Sequence, residues 1–517
     1  MFGMPLSLIT PKDGREEAVA STRRSACPPR HLGGYTRSAR VGSGSFSRWR
    51  CGSLLADGQD MTKVVSNRAV GILLIAGAVL AQPANGQLTA QQSAVLSAIS
   101  RSEPVSAWPR LSSAQLEKLQ ATAEAYEANY QSYHRPYGLT ADVLFQDRTR
   151  KVVEKFDGIG DSATWAGHYL AALAFKYAVT KQPKTLAAIH QTLDAFDRLT
   201  HVTGKNGYIA RFAGPADDPR FQRYYSVYGS GPDPERPGLG TWAFRGSGEY
   251  TNWVWLGFSS QDVYIGVNFG LAMTHRVVTD DLAQRRVRGL IETIVAGLSK
   301  DSNVIQDDHG RRSRWQLSPL ARAALLRTAA SVNPERYLRE YERAFADLPP
   351  SRLASLKHGS YFPNNLQFAS YYVLATLETA PERKKKLEAA FRELWRESQD
   401  HLNAYFALLY LSATGDRTNV VARATAEGML ADFPAAPRWD HRVDQAGRAD
   451  LDHIKVNNAA WSKFALFVSE RPPNDFLWQR SPCQLSGGND APLEYPGLDF
   501  LLPYWLGRYA GLLTTFR

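Results

Sequence analysis

Cysteine is nearly absent, with three residues in a chain of 517. Cys27 and Cys51 fall close to the start and Cys483 stands alone far downstream, so no internal disulfide can staple the main body and its core must hold it. Long apolar runs are scarce as well. The stretch Ala69–Ala81 has 13 residues, too few to cross a bilayer at roughly 20 residues per helix. The sequence contains no glycine-rich phosphate loop, no dinucleotide fingerprint, no nucleophile elbow and no zinc motif, which removes the recognisable nucleotide-dependent, α/β-hydrolase and zinc chemistries. It also lacks a Lys/Arg stripe interleaved with aromatics. Lys384, Lys385 and Lys386 read as an ordinary exposed helix face, so nucleic-acid binding has no support. What is present, 44% hydrophobic, 11% aromatic and 21% charged residues, is the composition of a folded globular chain.

The formal charge of +11 is unevenly spread. Residues 1–60 carry nine Lys/Arg against five acids, a net of +4, and show neither helical nor strand periodicity. Met61 then opens a second beginning: Lys63 and Arg68 precede the apolar run, and Val79-Leu80-Ala81 or Ala84-Asn85-Gly86 supplies a small-residue cleavage pattern. That order is the order of a secretory signal. The expected organisation is a leader over residues 1–60 that is a start-site artefact, a signal peptide over 61–86, and a single domain over 87–517. No cysteine sits at the cleavage region to take a lipid. The mature chain, with a net charge of about +5, is therefore expected in the periplasm or outside the cell, without stable membrane insertion.

From residue 112 onward the dominant period is helical, and two kinds of helix alternate. Segments 162–179, 263–276, 366–379, 402–414, 459–468 and 500–513 carry almost no formal charge, as helices buried all round do. Between them, 183–200, 279–299, 381–397 and 418–431 show one apolar stripe among charges, for example Leu186, Ile189, Leu193, Phe196 and Leu199, as surface helices do. This alternation of six buried helices with exposed partners resembles the (α/α)6 toroid of the six-hairpin glycosidase and polysaccharide lyase superfamilies, an all-α fold of inner and outer helical rings, over roughly residues 110–517. The resemblance lies in the pattern and specifies no family. It implies a carbohydrate-active enzyme with long loops on one rim.

Lys205–Asp262 is such a loop, 58 residues with nine Gly, five Pro and twelve aromatics. Structureless loops of that length are uncommon unless they function. Asp432–Asn458 and Arg471–Leu498 are further insertions, each expected to lead into a buried helix. The residues at the starts of the buried helices are polar in every case. Capping explains any one of them taken singly, but two of them make a chemical pair. Asp161 and Asp262 each open a buried helix, with Trp165 and Tyr264 close behind. Two carboxylates across a sugar-sized cleft can hydrolyse a glycosidic bond, one protonating the leaving oxygen and the other activating water. Asp262, beneath Trp253, Trp255 and Phe258, is the expected acid, and Asp161 the base of an inverting reaction, with Asp499 in reserve.

The aromatics of the long loop offer stacking platforms, although a loop packed on its own rings is as common for any single one. The expected substrate contacts are Trp165, His168, Arg211, Tyr250, Trp253, Tyr264, Asn365, His401, Asn403, Asn458, Arg480 and Asp499. His168, two turns into a buried helix, more often fills a core role. The loop bearing Asp440, His441, Asp444, Asp450, Asp452 and His453 has no recognised metal spacing, so neither metal nor cofactor is expected. The rival chemistry is β-elimination on a uronate-containing glycan, with a Tyr or His base and Asn/Arg neutralising the carboxylate. Tyr361, Asn364, Asn365, His401, Asn403 and Arg480 could supply that set. A third class is an envelope protein that binds glycan without turnover. In every case the partner is an oligo- or polysaccharide.

Overall fold

The computed structural model describes residues 111–514 apart from 301–303, 307, 436–437 and 458. The leader and the signal sequence expected at 61–86 lie outside the described residues, as does Asn458. Ser112 starts the first helix among the described residues, α1 (Ser113–Tyr133), with a capping box closed by Gln115, which satisfies two otherwise orphaned backbone donors. The helices that follow come in hairpins joined by one to five residues. In α2 (Ser162–Thr180) and α3 (Pro183–His201), Lys181 takes the left-handed conformation at φ 53° and Pro183 opens the second helix. Residues 162–176 of α2 are buried without a break, whereas α3 buries one face through Ile189, Leu193, Phe196 and Leu199.

A nine-residue helix, α4 (Pro219–Val227), lies inside the long insertion. The remaining hairpins are α5 (Gln261–Val277) with α6 (Asp281–Lys300), α7 (Pro319–Val332) with α8 (Pro334–Ala346), α9 (Phe362–Leu377) with α10 (Pro381–Ser398), and α11 (Ala404–Thr414) with α12 (Val420–Ala431). The last helix is α13 (Leu498–Tyr509). The apolar helices touch in succession: α2 on α5, α5 on α7 and α9, α7 on α9, α9 on α11, α11 on α13, and α13 back on α2. The amphipathic helices lie against them from α3 through α12, and α1 covers α13 and α12. The chain is thus mostly helical, with small sheets between the hairpins.

Two expectations fail here for identifiable reasons. Ala459–Val468 is not a buried helix. Ala459–Ser462 pairs antiparallel with His453–Val456, Val456 facing Ala459, and Asn457 is left-handed at φ 48°. Asn457 thus takes the positive φ that tight hairpin turns favour, and the insertion before it leads into a strand. The missing apolar helix is α7, whose Arg322 and Arg327 hide it from a count of charges. Arg327 is buried, stacks its guanidinium 5.3 Å from the Tyr341 ring centre on α8 and donates to the Leu377 carbonyl at the end of α9. The charge ties three helices together.

The insertion Lys205–Asp262 is folded as well. Trp253–Leu256 is the central strand between Phe212–Pro215 and Ala243–Arg245, both antiparallel to it. A second sheet runs in the order Val153–Asp157, Asp142–Phe145, Leu493–Tyr495, Arg438–Trp439. The tightest helix contact is α2 on α5. A Cβ on Gly266 would stand 2.6 Å from the Thr164 backbone, one on Gly270 2.5 Å from the Gly167 carbonyl, and one on Gly167 would land on the carbonyl of Gly266. These glycines let the two backbones meet.

Candidate active site

One arginine gathers two helix starts. Gly158, left-handed at φ 65°, turns the chain into the short 3-10 turn Ile159–Asp161 that feeds α2. Asp161 stands at the N-cap position yet makes no cap hydrogen bond. Its Oδ1 lies 2.8 Å from Arg211 Nη1 instead, and half of its side chain is exposed. The same guanidinium reaches the start of α5, where Nη2 donates to Ser260 Oγ at 3.0 Å and Nε to the Phe258 carbonyl at 2.9 Å. Its backbone joins in: Ala163 N–H donates to the Arg211 carbonyl at 3.0 Å, and Arg211 N–H to that of Leu256 at 2.8 Å. Asp262 sits in the first turn of α5.

The two carboxyls differ in surroundings. Burial pushes the Asp262 carboxyl above its ordinary range, Arg211 draws it back and Asp161 adds to the rise. A helix N-terminus favours the carboxylate form, so burial outweighs both that field and the arginine. For Arg211 itself burial opposes the charge, but Tyr228, Asp161 and Asp262 reverse the effect and leave it raised. Tyr224 closes the side, its hydroxyl accepting from the Gly160 N–H at 3.1 Å.

Two further aspartates join this neighbourhood, and sequence reasoning missed both. Asp142 is almost fully buried on the strand Asp142–Phe145. Burial raises its carboxyl well above the usual range, and Asp475, Asp157, Asp161 and Asp499 add to the rise. A Cβ at Gly158 would come 2.7 Å from Asp142 Oδ2, so glycine there serves the close approach as well as the turn. Asp475 accepts from Trp165 Nε1 at 3.1 Å and from Gln479 Nε2 at 2.7 Å. Burial raises this carboxyl too, opposed by Arg480 and assisted by Asp161. Asp142 sits in a short strand without a helix-start signal. Asp475 lies in an insertion whose Pro-Pro-Asn-Asp run reads as turn.

The other expected residues distribute as follows. Trp165 is covered by Phe476, ring centres 4.7 Å apart and stacked. Tyr264 is buried and its hydroxyl donates to the Gly207 carbonyl at 3.0 Å. Trp253 carries the Arg198 guanidinium 4.6 Å from its ring centre and meets Tyr137 and Tyr250 edge-on. Asp499 is fully buried, ion-paired to Arg438, and accepts from the Leu477 N–H at 3.0 Å, so it anchors the insertion. Asn365 is buried with its side-chain oxygen unpartnered. Arg480 is exposed. Asn403 does cap its helix, accepting from the Phe406 N–H at 3.1 Å. His401 Nδ1 lies 2.9 Å from the Tyr361 hydroxyl, to which Asn403 Nδ2 also points at 3.5 Å. Burial lowers the His401 pKa to about 4, with Asp400 opposing. In the loop considered for a cation, Asp440 is buried and accepts from the Asn489 and Ala491 N–H groups at 2.9 and 3.2 Å, a structural role.

His168 is fully buried, its Nδ1–H donating to the Thr164 carbonyl at 2.8 Å while Nε2 has no partner. Burial lowers its pKa from 6.5 to about 4, against that hydrogen bond. Between those two values the unfolded state binds a proton that the folded state refuses, so this residue makes stability fall as pH falls. The raised Asp142 and Asp262 act in the opposite sense, and a variant isolates the histidine. Wild type is expected to lose more stability than His168→Phe between pH 6.5 and about 4 in urea unfolding. Parallel losses would contradict its neutral burial.

No protein-family model matches the sequence, and no curated protein matches it. Among the solved structures that show a weak likeness to this chain are an endoglucanase and a cellulase. The endoglucanase CelQ from Clostridium thermocellum, complexed with cellotriose, is 11% identical, with 76% of this chain and 70% of that chain covered at a TM-score of 0.39. The cellulase Cel9M of C. cellulolyticum is 12% identical, with 77% of this chain and 98% of that chain covered, also at a TM-score of 0.39. Likenesses this weak carry no activity across.

Proposed function

We propose that the helical hairpins close into an (α/α)6 toroid and that the protein is an exported glycoside hydrolase, with Asp262 as general acid and Asp161 as general base. The observation that carries the reading is the Arg211 clamp. It ion-pairs with the half-exposed Asp161 and acts electrostatically on Asp262, a partly exposed carboxyl raised by desolvation. Asp262 gives its proton to the glycosidic oxygen as the C–O bond breaks. Water adds to the anomeric carbon from the other face and passes its proton to Asp161, which is inversion. Tyr228, partly exposed, is the sugar-facing ring of this reading, while Trp165 is buried beneath Phe476 and supports the site from behind. Export rests on the Met61 signal pattern, and N-terminal sequencing of extracytoplasmic protein should begin between residues 82 and 87.

The test is turnover on a panel of neutral and acidic polysaccharides, read as released reducing ends. Hydrolysis abolished by Asp161→Asn together with Asp262→Asn supports the proposal, and undiminished turnover in that pair overturns it. One observation favours a second reading, a polysaccharide lyase. Tyr361, His401 and Asn403 share hydrogen bonds, and Asp400 Oδ1 stands 3.6 Å from His401 Nε2, an arrangement that could deliver a tyrosine base. Tyr361 and His401 are each only 3% exposed, however. Arg480, expected to neutralise a uronate there, acts on Asp475 instead. An unsaturated, ultraviolet-absorbing product would establish the lyase.

A further inference from the structure

A cavity of about 310 Å³ opens between the end of α1 and the flank of α3, lined by Gln131, Arg135, Tyr137, Gln191, Asp194 and Arg198. It shares no residue with the Arg211 clamp. Its volume is at the low end of small-molecule pockets, about 300–1,000 Å³, and fits one small polar group or a single sugar.

Its charge is unbalanced. Arg135 donates to Gln131 Oε1 at 3.1 Å, Gln191 Oε1 at 2.6 Å, the Ala188 carbonyl at 2.6 Å and Thr192 Oγ1 at 2.8 Å, all neutral acceptors. Arg198 donates to the Tyr137 carbonyl and lies over Trp253. Among the described residues neither guanidinium forms an ion pair, and the Nε of each is buried without a partner. Asp194, the one carboxylate in the lining, is ion-paired with Arg286 and mostly exposed. A half-buried cation held by neutral groups is costly unless an anion joins it, and a planar guanidinium matches the paired oxygens of carboxylate or sulfate.

The backbone is set for this arrangement. Tyr137 is left-handed at φ 53° and Gly138 at φ 83°, and a Cβ at Gly138 would stand 2.8 Å from the Gln191 carbonyl. A bulky residue in that region is strained and persists only where the surroundings hold it. Here Arg198 holds the Tyr137 carbonyl while the Tyr137 hydroxyl donates to Asp218 Oδ2 at 2.7 Å.

We infer that this cavity is an oxyanion-binding site, taking the carboxylate or sulfate of an acidic sugar or the free inorganic ion, with Arg198 as its principal donor. The inference is independent of the hydrolase reading, since it is tested by binding alone. Calorimetric titration at constant ionic strength with sodium sulfate, methyl glucuronide and methyl glucoside separates the cases. Sulfate and glucuronide are expected to compete for one site and the neutral glucoside to give no heat. Arg198→Gln should weaken the anions at least tenfold, and Arg198→Lys, which keeps the charge but loses the fork, by less. Asp161→Asn, outside the cavity lining, should leave the anion affinity of this cavity unchanged. Binding of sulfate without glucuronide would identify the free ion as the occupant. Anion binding absent from wild type, equal in Arg198→Gln, or matched by the glucoside would overturn the inference. If Arg198→Gln fails to fold, Arg198→Lys carries the comparison, with unchanged anion affinity as the contrary result.

Discussion

Gly167→Ala is expected to destabilise the protein by about 3 kcal/mol or more, at or beyond the upper end of ordinary overpacking. The added methyl meets the backbone carbonyl of Gly266, not a side chain that could turn away, and Gly270 presses on Gly167 from the next turn. Relief therefore requires α2 and α5 to separate. Helix propensity alone predicts the opposite sign, since alanine is favoured over glycine by ~1 kcal/mol in a helix interior. Gly289 provides the matched control. It lies in α6 with no atom within 4 Å of where a Cβ would stand, and Gly289→Ala should be neutral or stabilising by up to ~1 kcal/mol. Chemical denaturation of the two variants reads the contrast. Equal effects would mean that α2 and α5 do not meet backbone to backbone. Because Asp161 and Asp262 sit at the starts of these helices, separating them should also reduce any turnover that depends on the pair.

The helical framework was legible because burial leaves a compositional mark. The nearly charge-free runs at 162–179, 263–276, 366–379 and 402–414 became α2, α5, α9 and α11, with boundaries shifted by at most four residues. The signal failed where one side chain departed from its usual habit. Arg327 is a charged residue held inside the structure, so α7 was not counted among the buried helices. In Ala459–Val468 the scarcity of charge, Lys463 alone, marked a hairpin strand and loop, and the informative residue was Asn457 with its positive φ. Within the site, Asp161 and Asp262 were legible as helix-start carboxylates. What brings them together was less so, because Arg211 stands fifty residues from either one and sequence pattern shows no contact of that range. Asp142 and Asp475 were illegible for the same reason: a strand residue and a loop residue meet the helix starts only once the chain is folded. The aromatics of Lys205–Asp262 show the limit of composition. They build a three-stranded sheet, and Tyr250 and Trp253 lie with Arg198 and Tyr137.

The central claim is that Asp262 gives up a proton and Asp161 takes one. Asp262→Asn keeps the shape and removes the proton, so turnover on an unactivated glycan should fall by roughly 10²–10⁴, the usual share of general acid catalysis. Ligand binding should change little. Asp161 makes no cap hydrogen bond, and the raised carboxyl of Asp262 reflects burial first, so neither substitution should show the ~1 kcal/mol loss of a removed helix cap as its main effect. The direct measurement compares both variants on a glycan identified in the panel and on the matching aryl glycoside with a good leaving group. A leaving group that departs without a proton bypasses the acid but still needs the base. The account predicts that Asp262→Asn regains much of its rate on the aryl glycoside while Asp161→Asn stays impaired on both substrates. Small, equal losses on both substrates, accompanied by lowered thermal stability, would contradict it and make the two aspartates structural.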